Sequence, residues 1–482
     1  MSSVHRSLFL SALSKYLNMG VNLASVLIFS RLLTPDELGV HVVAVAIAAL
    51  AIEVRLLGTG GYLIRKEVIT KHDCQRVIGV TMMISFPLGG AMFASSNWVG
   101  GLFEQEGIAS ILAILSLGFF SAPFIAVSHS ILSRNFRFDV LLLNNVLTTV
   151  ITFVASLVAF YMHAGYMSLA IGLVVGQLSK LLVFWLYKST DISWRPSFSG
   201  FAEILKFGMF VSQAAVLRKL HETSPEIIIG KLGSPTLAAV FSRGVGLYKF
   251  FFDSVTSAVQ PVVMPFLSKA KRSKKDVKES YLNAVSHLSI LVIPILSVLS
   301  ISAKPAVLLM FGDQWLESVE FVPVLCLLGI VRCVYCWANT LLVTMGFEKA
   351  NFYRQCVITS CTVLFCSIGF SISLLYVAWA MVLTAIIDAL LLGLAIRKNC
   401  NIGIGAIAKA HSKSIVVGIL CCALTKLLYI FLELDNVKPI YVLLVLSVII
   451  PIFWLNMVFL FRHPLANLIK GYFEILKNRI NF

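Results

Sequence analysis

Long hydrophobic segments alternate with short polar loops along the whole chain. A hydrocarbon core about 30 Å thick needs roughly 20 apolar residues of helix, and windows of that length recur about fourteen times. They cover residues 8–29, 38–57, 77–97, 108–131, 140–161, 167–187, 203–230, 236–265, 281–302, 319–345, 355–375, 376–396, 412–432 and 439–461. The pattern predicts an all-α integral membrane protein of about 14 transmembrane helices.

Composition supports a membrane protein and argues against an enzyme. Of the 482 residues, 59% are hydrophobic and 13% are charged, whereas soluble domains have about 25% charged residues. We find no P-loop, no H-E-x-x-H motif and no polar stretch long enough to hold a catalytic domain. We therefore expect no enzymatic activity, no cofactor and no metal. The cysteines, including the C-x-x-C pair Cys333 and Cys336, are interpreted as thiols packed among helices.

The loops differ strongly in charge. One alternate set contains most of the lysines and arginines, whereas the other holds only Arg31, Lys231, Lys304 and Lys438. Short basic loops stay in the cytoplasm, so both termini are predicted to be cytoplasmic. The net charge of +16 therefore reflects topology and contact with anionic lipids, and nucleic-acid binding is not expected. The tail from Pro464 to Phe482 is predicted to be an amphipathic helix on the inner membrane surface.

Two turns in the chain are similar. Residues 31–40 and 231–240 align without gaps and share a basic residue, a leucine, a hydroxyl residue before proline, and a valine. Thr34 and Ser234 are suited to cap the helices that begin at the following prolines. Chance could produce this similarity; the alternative is a duplication of six helices. The duplication predicts an N-terminal lobe at 1–190, a C-terminal lobe at 191–400, and two further helices with the tail at 401–482.

The first span has a polar stripe at helical spacing. Ser11, Lys15, Asn18, Asn22 and Ser25 recur at steps of three and four residues, which places them on one face. That face is predicted to avoid hydrocarbon.

Charged residues occur in other spans as well, where each costs about 2.5 to 3.5 kcal/mol in lipid. The cations, with the asparagines of the first span and the outer Arg31, form our predicted substrate-binding set: Lys15, Asn18, Asn22, Arg31, Arg55, Lys180, Arg218, Lys219, Arg243, Lys249 and Arg332. The acids are predicted to couple ions or form ion pairs: Glu53, Glu222, Glu226, Asp253 and Asp388. In the tenth span, Arg332, Tyr335 and Asn339 are predicted to share a face.

These charges have two interpretations, which the sequence leaves open. Glu222 with Arg218, and Asp253 with Lys249, have the i, i+4 spacing of structural ion pairs. The buried cations nevertheless outnumber the acids, and a positive interior suits an anion. A diphosphate is the anion that Lys and Arg bind best through charge-assisted hydrogen bonds. Small residues have a simpler role, since the spacing of Ser168, Gly172 and Gly176 predicts helix packing.

Several motifs resemble one family. The turn at residues 29–39, the small-residue turn at 58–65, residues 237–248 and the stretch Leu308–Trp315 are similar to bacterial Wzx-type polysaccharide flippases, including colanic-acid and O-antigen exporters. These proteins belong to the multidrug/oligosaccharidyl-lipid/polysaccharide exporter superfamily. The resemblance implies two pseudo-symmetric six-helix lobes plus two C-terminal helices, in a multi-pass protein of the bacterial inner membrane.

The resemblance also implies a cargo. This would be an undecaprenyl-diphosphate-linked oligosaccharide, flipped to the periplasmic leaflet by alternating access and used there by a polysaccharide polymerase. Either protons or sodium ions would be the coupling ion, and membrane lipids would contact the polyprenyl tail. Two alternatives stay open: a cation-coupled multidrug exporter of the same superfamily, and a membrane glycan polymerase or ligase.

Overall fold

The computed structural model describes the backbone of residues 3–56, 62–63, 66, 68–187, 194–199, 201–272, 277–345 and 347–471. Side chains are described over the same ranges except at 3–12, 56, 202–212, 258–262, 264–272, 343 and 348. Within these ranges the chain is helical and contains no β-strand. The all-α prediction is therefore confirmed.

Contacts divide the chain into two compact units, Met1–Ala239 and Val240–Phe482. The helices of the first unit are α1 (Ser3–Leu32), α2 (Pro35–Leu56), α3 (Lys71–Leu102), α4 (Glu106–Ser116), α5 (Gly118–Arg134), α6 (Phe138–Tyr161), α7 (Ser168–Leu186) and α8 (Phe201–Leu232). Helix α9 (Pro235–Arg272) begins in the first unit and continues in the second. The predicted lobe boundaries at residues 190 and 400 stay a prediction.

The second unit continues with eight helices. They are α10 (Val277–Ile301), α11 (Ala303–Met310), α12 (Val322–Val334), α13 (Ala338–Met345), α14 (Glu348–Phe370), α15 (Leu374–Cys400), α16 (Ile404–Phe431) and α17 (Pro439–Leu460). Residues 464–471 form a further helical segment, and the rest of the predicted amphipathic tail lies outside the described residues.

Eleven segments in the described part of the chain are long and apolar enough to cross a membrane. Each coincides with one of the predicted spans. The other three predicted spans correspond to α1, α8 and α9, which are helices of 30, 32 and 38 residues but are not among the eleven. They contain the polar stripe and the charges noted above, so the predicted total of fourteen spans stays a prediction.

Local signals explain several helix starts and contacts. The Thr34 hydroxyl accepts from Glu37 N at 3.3 Å, and Glu37 Oε2 accepts from Thr34 N at 2.9 Å, which is a capping box at α2. Ser234 caps α9 by accepting from Leu237 N at 3.2 Å. Helices α6 and α7 pack closely at Gly172, which has no side chain. A Cβ at this position would lie 1.9 Å from Ser156 Oγ. Both capping and small-residue packing were predicted.

Two predicted spans are broken. The span predicted over residues 108–131 is divided at Leu117, between α4 and α5. Sequence analysis predicted a continuous helix over residues 319–345, but α12 ends at Val334 and α13 begins at Ala338, with a turn at 335–337 between them. The shared face of Arg332, Tyr335 and Asn339 is therefore wrong, because the three residues do not belong to one helix. Irregular backbone at membrane depth is tolerated where it is buried in protein or lines a water-filled cavity.

Candidate functional site

Arg55 lies in the last turn of α2 and is partly buried. Its guanidinium lies over the ring of Phe119 in α5, with Cζ 5.1 Å from the ring centroid. An aromatic face stabilises a cation without neutralising its charge. The predicted acid of the same helix, Glu53, is also partly buried. Arg55 is thus a positive group kept within the helices of the first unit.

A second positive region of the first unit involves Lys180 of α7. Lys180 is partly buried, and its backbone carbonyl accepts a hydrogen bond from Asn144 Nδ2 at 3.3 Å. Helix α5 packs against α7 and contributes a further basic residue, His129, whose side chain is exposed. His129 was not among the predicted residues, since a single histidine in an apolar helix has no distinctive spacing.

The polar stripe of α1 is partly buried. Lys15 is half-buried, and Asn18 Nδ2 donates to Ser14 Oγ at 3.5 Å. The amide oxygen of Asn18 is buried and has no hydrogen-bond partner among the described residues. Asn22 is exposed, and the side chain of Ser11 lies outside the described part of the structure. The stripe thus includes Ser14, which the predicted set left out.

Several charged residues of α8, and Arg31 at the end of α1, are exposed. Arg218 and Glu222 are exposed, and the ion pair of Glu222 is with Lys219 at 3.6 Å. The predicted pair of Glu222 with Arg218 is therefore wrong: both spacings suit a helix, and the side-chain conformation favours i, i+3. Glu226 is half-buried. Arg31 is exposed and donates to the Leu27 carbonyl at 3.2 Å.

Arg243 in α9 is partly buried and lies against two aromatic rings. Its Cζ lies 5.0 Å from the centroid of the Trp315 ring and 5.5 Å from that of Phe311. Its Nε is buried without a hydrogen-bond partner among the described residues. Trp315 and Phe311 are both fully buried. The stretch at 308–315 is part of the family resemblance. Two of its aromatic residues therefore contact the guanidinium of Arg243.

The other predicted residues of α9 and α12 vary in environment. Lys249 is half-buried and Asp253 is exposed, and their pairing stays a prediction. Arg332 is half-buried and donates through Nη1 to the hydroxyl of Tyr248 at 3.1 Å. That contact joins α9 to the end of α12, directly before the helix break.

Asp388 of α15 has a partner that lies just outside the predicted spans, directly before the window at 355–375. Arg354, near the start of α14, forms an ion pair with it, and the Arg354 side chain is only 7% exposed. The hydrophobic windows gave the wrong location because α14 begins seven residues before the predicted span. Arg354 is therefore a buried charge that was missed.

The predicted cations differ in whether a carboxylate neutralises them. Arg55, Lys180 and Arg243 have no carboxylate within 4 Å among the described side chains, while Lys219 is paired with Glu222. Three partly buried cations, on α2, α7 and α9, thus keep their charge available. A single chamber that brings the cations of both units together stays a prediction.

Comparisons with known proteins agree with this architecture. The chain is 23% identical over 382 residues to the teichuronic acid biosynthesis protein TuaB of Bacillus subtilis (strain 168), covering 76% of this chain and 77% of that protein. It is 24% identical to the succinoglycan biosynthesis transport protein ExoT of Rhizobium meliloti (strain 1021), covering 68% and 66%. The fold is similar to that of the lipid II flippase MurJ in an inward closed conformation, with a TM-score of 0.73, 16% identity, and 94% and 99% of the two chains covered.

The family model described as "Polysaccharide biosynthesis protein" matches residues 28–320, more than half of the chain. The match includes the repeated turns, the cations Arg55, Lys180 and Arg243, and the aromatic residues that hold Arg243. The chain therefore belongs to the polysaccharide biosynthesis protein family, as a membrane protein with many apolar helices.

Proposed function

We propose that the protein flips an undecaprenyl-diphosphate-linked oligosaccharide from the cytoplasmic to the periplasmic leaflet of the bacterial inner membrane. Two lobes, at residues 1–190 and 191–400, would alternate between inward and outward openings, with both termini in the cytoplasm. The sugar would cross in water while the polyprenyl tail stays in lipid. The names of the relatives support a role in polysaccharide transport, and the fold of a lipid II flippase supports the kind of cargo.

The observation that carries the proposal is a set of partly buried cations on α2, α7 and α9 that have no carboxylate partner among the described side chains. These cations are Arg55, Lys180 and Arg243. Burying such charges is costly, so they are expected to serve an anion. Arginine is suited to this because its planar guanidinium binds phosphate oxygens through two parallel hydrogen bonds and does not lose its proton.

Replacing Arg55 and Arg243 with alanine tests the proposal. In cells that lack the native gene, the double variant should reach the membrane but restore less than a tenth of the surface polysaccharide, and lipid-linked intermediates should accumulate. Arg137 is a matched control, because it is exposed and paired with Asp139 at 3.1 Å; Arg137→Ala should export normally. Normal export by the double variant would show that these cations do not bind the cargo.

A further inference from the structure

The buried charge pair of α14 and α15 has a more elaborate environment than an ordinary ion pair. The guanidinium of Arg354 donates from Nη1 to Asp388 Oδ1, and from Nη2 to the amide oxygens of Asn351 at 2.8 Å and Asn339 at 2.9 Å. Its Nε donates to Asn351 at 3.3 Å. One cation is therefore held by one anion and two neutral side chains, from α13, α14 and α15.

Stability alone does not explain this arrangement. Asp388 lies in the middle of the candidate span Leu374–Cys400 and is its only acid. Removing two charges from water costs several kcal/mol per ion, and well-packed apolar residues often replace such pairs without loss of stability. A charge pair kept at this depth is thus expected to take part in function.

The two partners of the pair are not equally enclosed. The Arg354 side chain is 7% exposed and that of Asp388 is 29% exposed, and Asn339 is exposed beside them. The hydrogen-bond network of Arg354 is therefore accessible from the side of the Asp388 carboxylate. Asn339 also lies in the first turn of α13, directly after the helix break at 335–337.

The amide contacts give Arg354 an additional property. If Asp388 moves away, Asn339 and Asn351 still accept hydrogen bonds from Nη2 and Nε, so the guanidinium can keep its place. Its Nη1 would then be free to donate to another oxygen anion. A phosphate group is tetrahedral, but two of its oxygens can accept from a guanidinium as the two oxygens of a carboxylate do, and it has more oxygens and more charge.

We propose that Arg354 is a further anion-binding residue of the transport path, and that Asp388 is an internal competitor that occupies it when no cargo is bound. Oxygens of the diphosphate displace the Asp388 carboxylate from Nη1 and take its hydrogen bonds. The Asp388 carboxylate neutralises the buried cation in the empty protein, and the diphosphate neutralises it when the cargo is bound. This inference rests on the proposed function, because it takes the cargo to be a lipid diphosphate.

The test measures binding of undecaprenyl diphosphate to the purified full-length protein in nanodiscs, with uncharged undecaprenol as the reference. Asp388→Asn removes the competitor and should tighten binding of the diphosphate at least threefold. Arg354→Gln should weaken it at least tenfold. Neither change should alter the affinity for undecaprenol. Asp139→Asn, which removes the exposed acid paired with Arg137, is the control and should bind like the wild type.

Loss of one charge from a buried pair can prevent folding. The double variant Arg354→Gln/Asp388→Asn leaves no unpaired charge, and it should bind the diphosphate as weakly as Arg354→Gln. Wild-type affinity in either Arg354→Gln variant, or equal or weaker binding by folded Asp388→Asn, would overturn the inference. A wild-type protein that does not distinguish undecaprenyl diphosphate from undecaprenol would instead overturn the proposed function.

Discussion

The hydroxyl of Thr236 donates a hydrogen bond to the Asp36 carboxylate across 3.1 Å. The two residues occupy the same position in the two similar turns, 200 residues apart in the chain. Both turns also begin a helix through a hydroxyl cap before proline. The similarity found in the sequence thus corresponds to two turns that contact each other in the folded protein.

Cross-linking these turns should stop transport. Cysteines at positions 36 and 236 should form a disulfide under mild oxidation, since the native side chains are hydrogen-bonded to each other and the backbones of the two turns meet at Gly39 and Pro235. If the proposed lobes at 1–190 and 191–400 move against each other, the start of α9 moves away from α2, so the oxidised protein should lose transport in proteoliposomes. A reducing agent should restore it.

The single-cysteine variants are the controls for this experiment, because the ten native cysteines carry free thiols as well. They should transport at the same rate with and without oxidant. Undiminished transport by the fully cross-linked protein would mean that these turns stay together throughout the cycle.

A methyl group at Gly39 should destabilise the same contact. A Cβ there would lie 2.0 Å from the backbone oxygen of Pro235, and backbone cannot move aside easily. We expect Gly39→Ala to cost about 1 to 3 kcal/mol, the usual range for overpacking. Thermal unfolding of the purified protein should show a lower midpoint.

Gly101 provides the matched control, because it lies in a helix with no other atom within 4 Å of its Cβ position. Gly101→Ala should raise the midpoint slightly or leave it unchanged, since alanine favours a helix over glycine by about 0.5 to 1 kcal/mol. Equal midpoints for the two variants would contradict the close packing at Gly39.

Features set by local sequence could be predicted well. Hydrophobic windows located the helices, and the Thr34 and Ser234 caps and the glycines of α7 were identified from their spacing. Each depends on neighbouring residues or on a periodic face, which the sequence displays directly. The same reasoning predicted which spans would contain charges.

Partners of charged side chains could not be predicted in the same way. Lys219 and Arg218 both have helical spacing to Glu222, and only the folded side chains select one of them. The break at 335–337 contains neither Gly nor Pro, the usual signals of a helix end. Arg354 lies outside the predicted span because helix ends extend beyond hydrophobic windows, and its partners come from three helices.

His463 predicts how stability depends on pH. The side chain is 1% exposed; its Nε2 lies 3.0 Å from Ser286 Oγ, and its Nδ1 accepts from Leu465 N at 3.1 Å. We therefore assign the proton to Nε2. Burial, and then the nearby His287 and Lys413, lower the pKa of His463 to about 4. The ring is thus neutral where it joins α10 to the segment after α17.

The sign of the effect follows from proton binding. In the unfolded chain a histidine has a pKa of about 6.5, so between pH 6.5 and 4 the unfolded state binds a proton that the folded state excludes. Stability should therefore fall as the pH decreases through this window.

Replacing His463 with glutamine tests this prediction. The glutamine amide can donate in place of the imidazole N–H and does not titrate, so the thermal unfolding midpoint of His463→Gln should fall less with decreasing pH than that of the wild type. His163→Asn, at an exposed histidine in a left-handed conformation that asparagine also adopts, should keep the wild-type slope. Equal slopes for wild type and His463→Gln would show that another group causes the acid sensitivity.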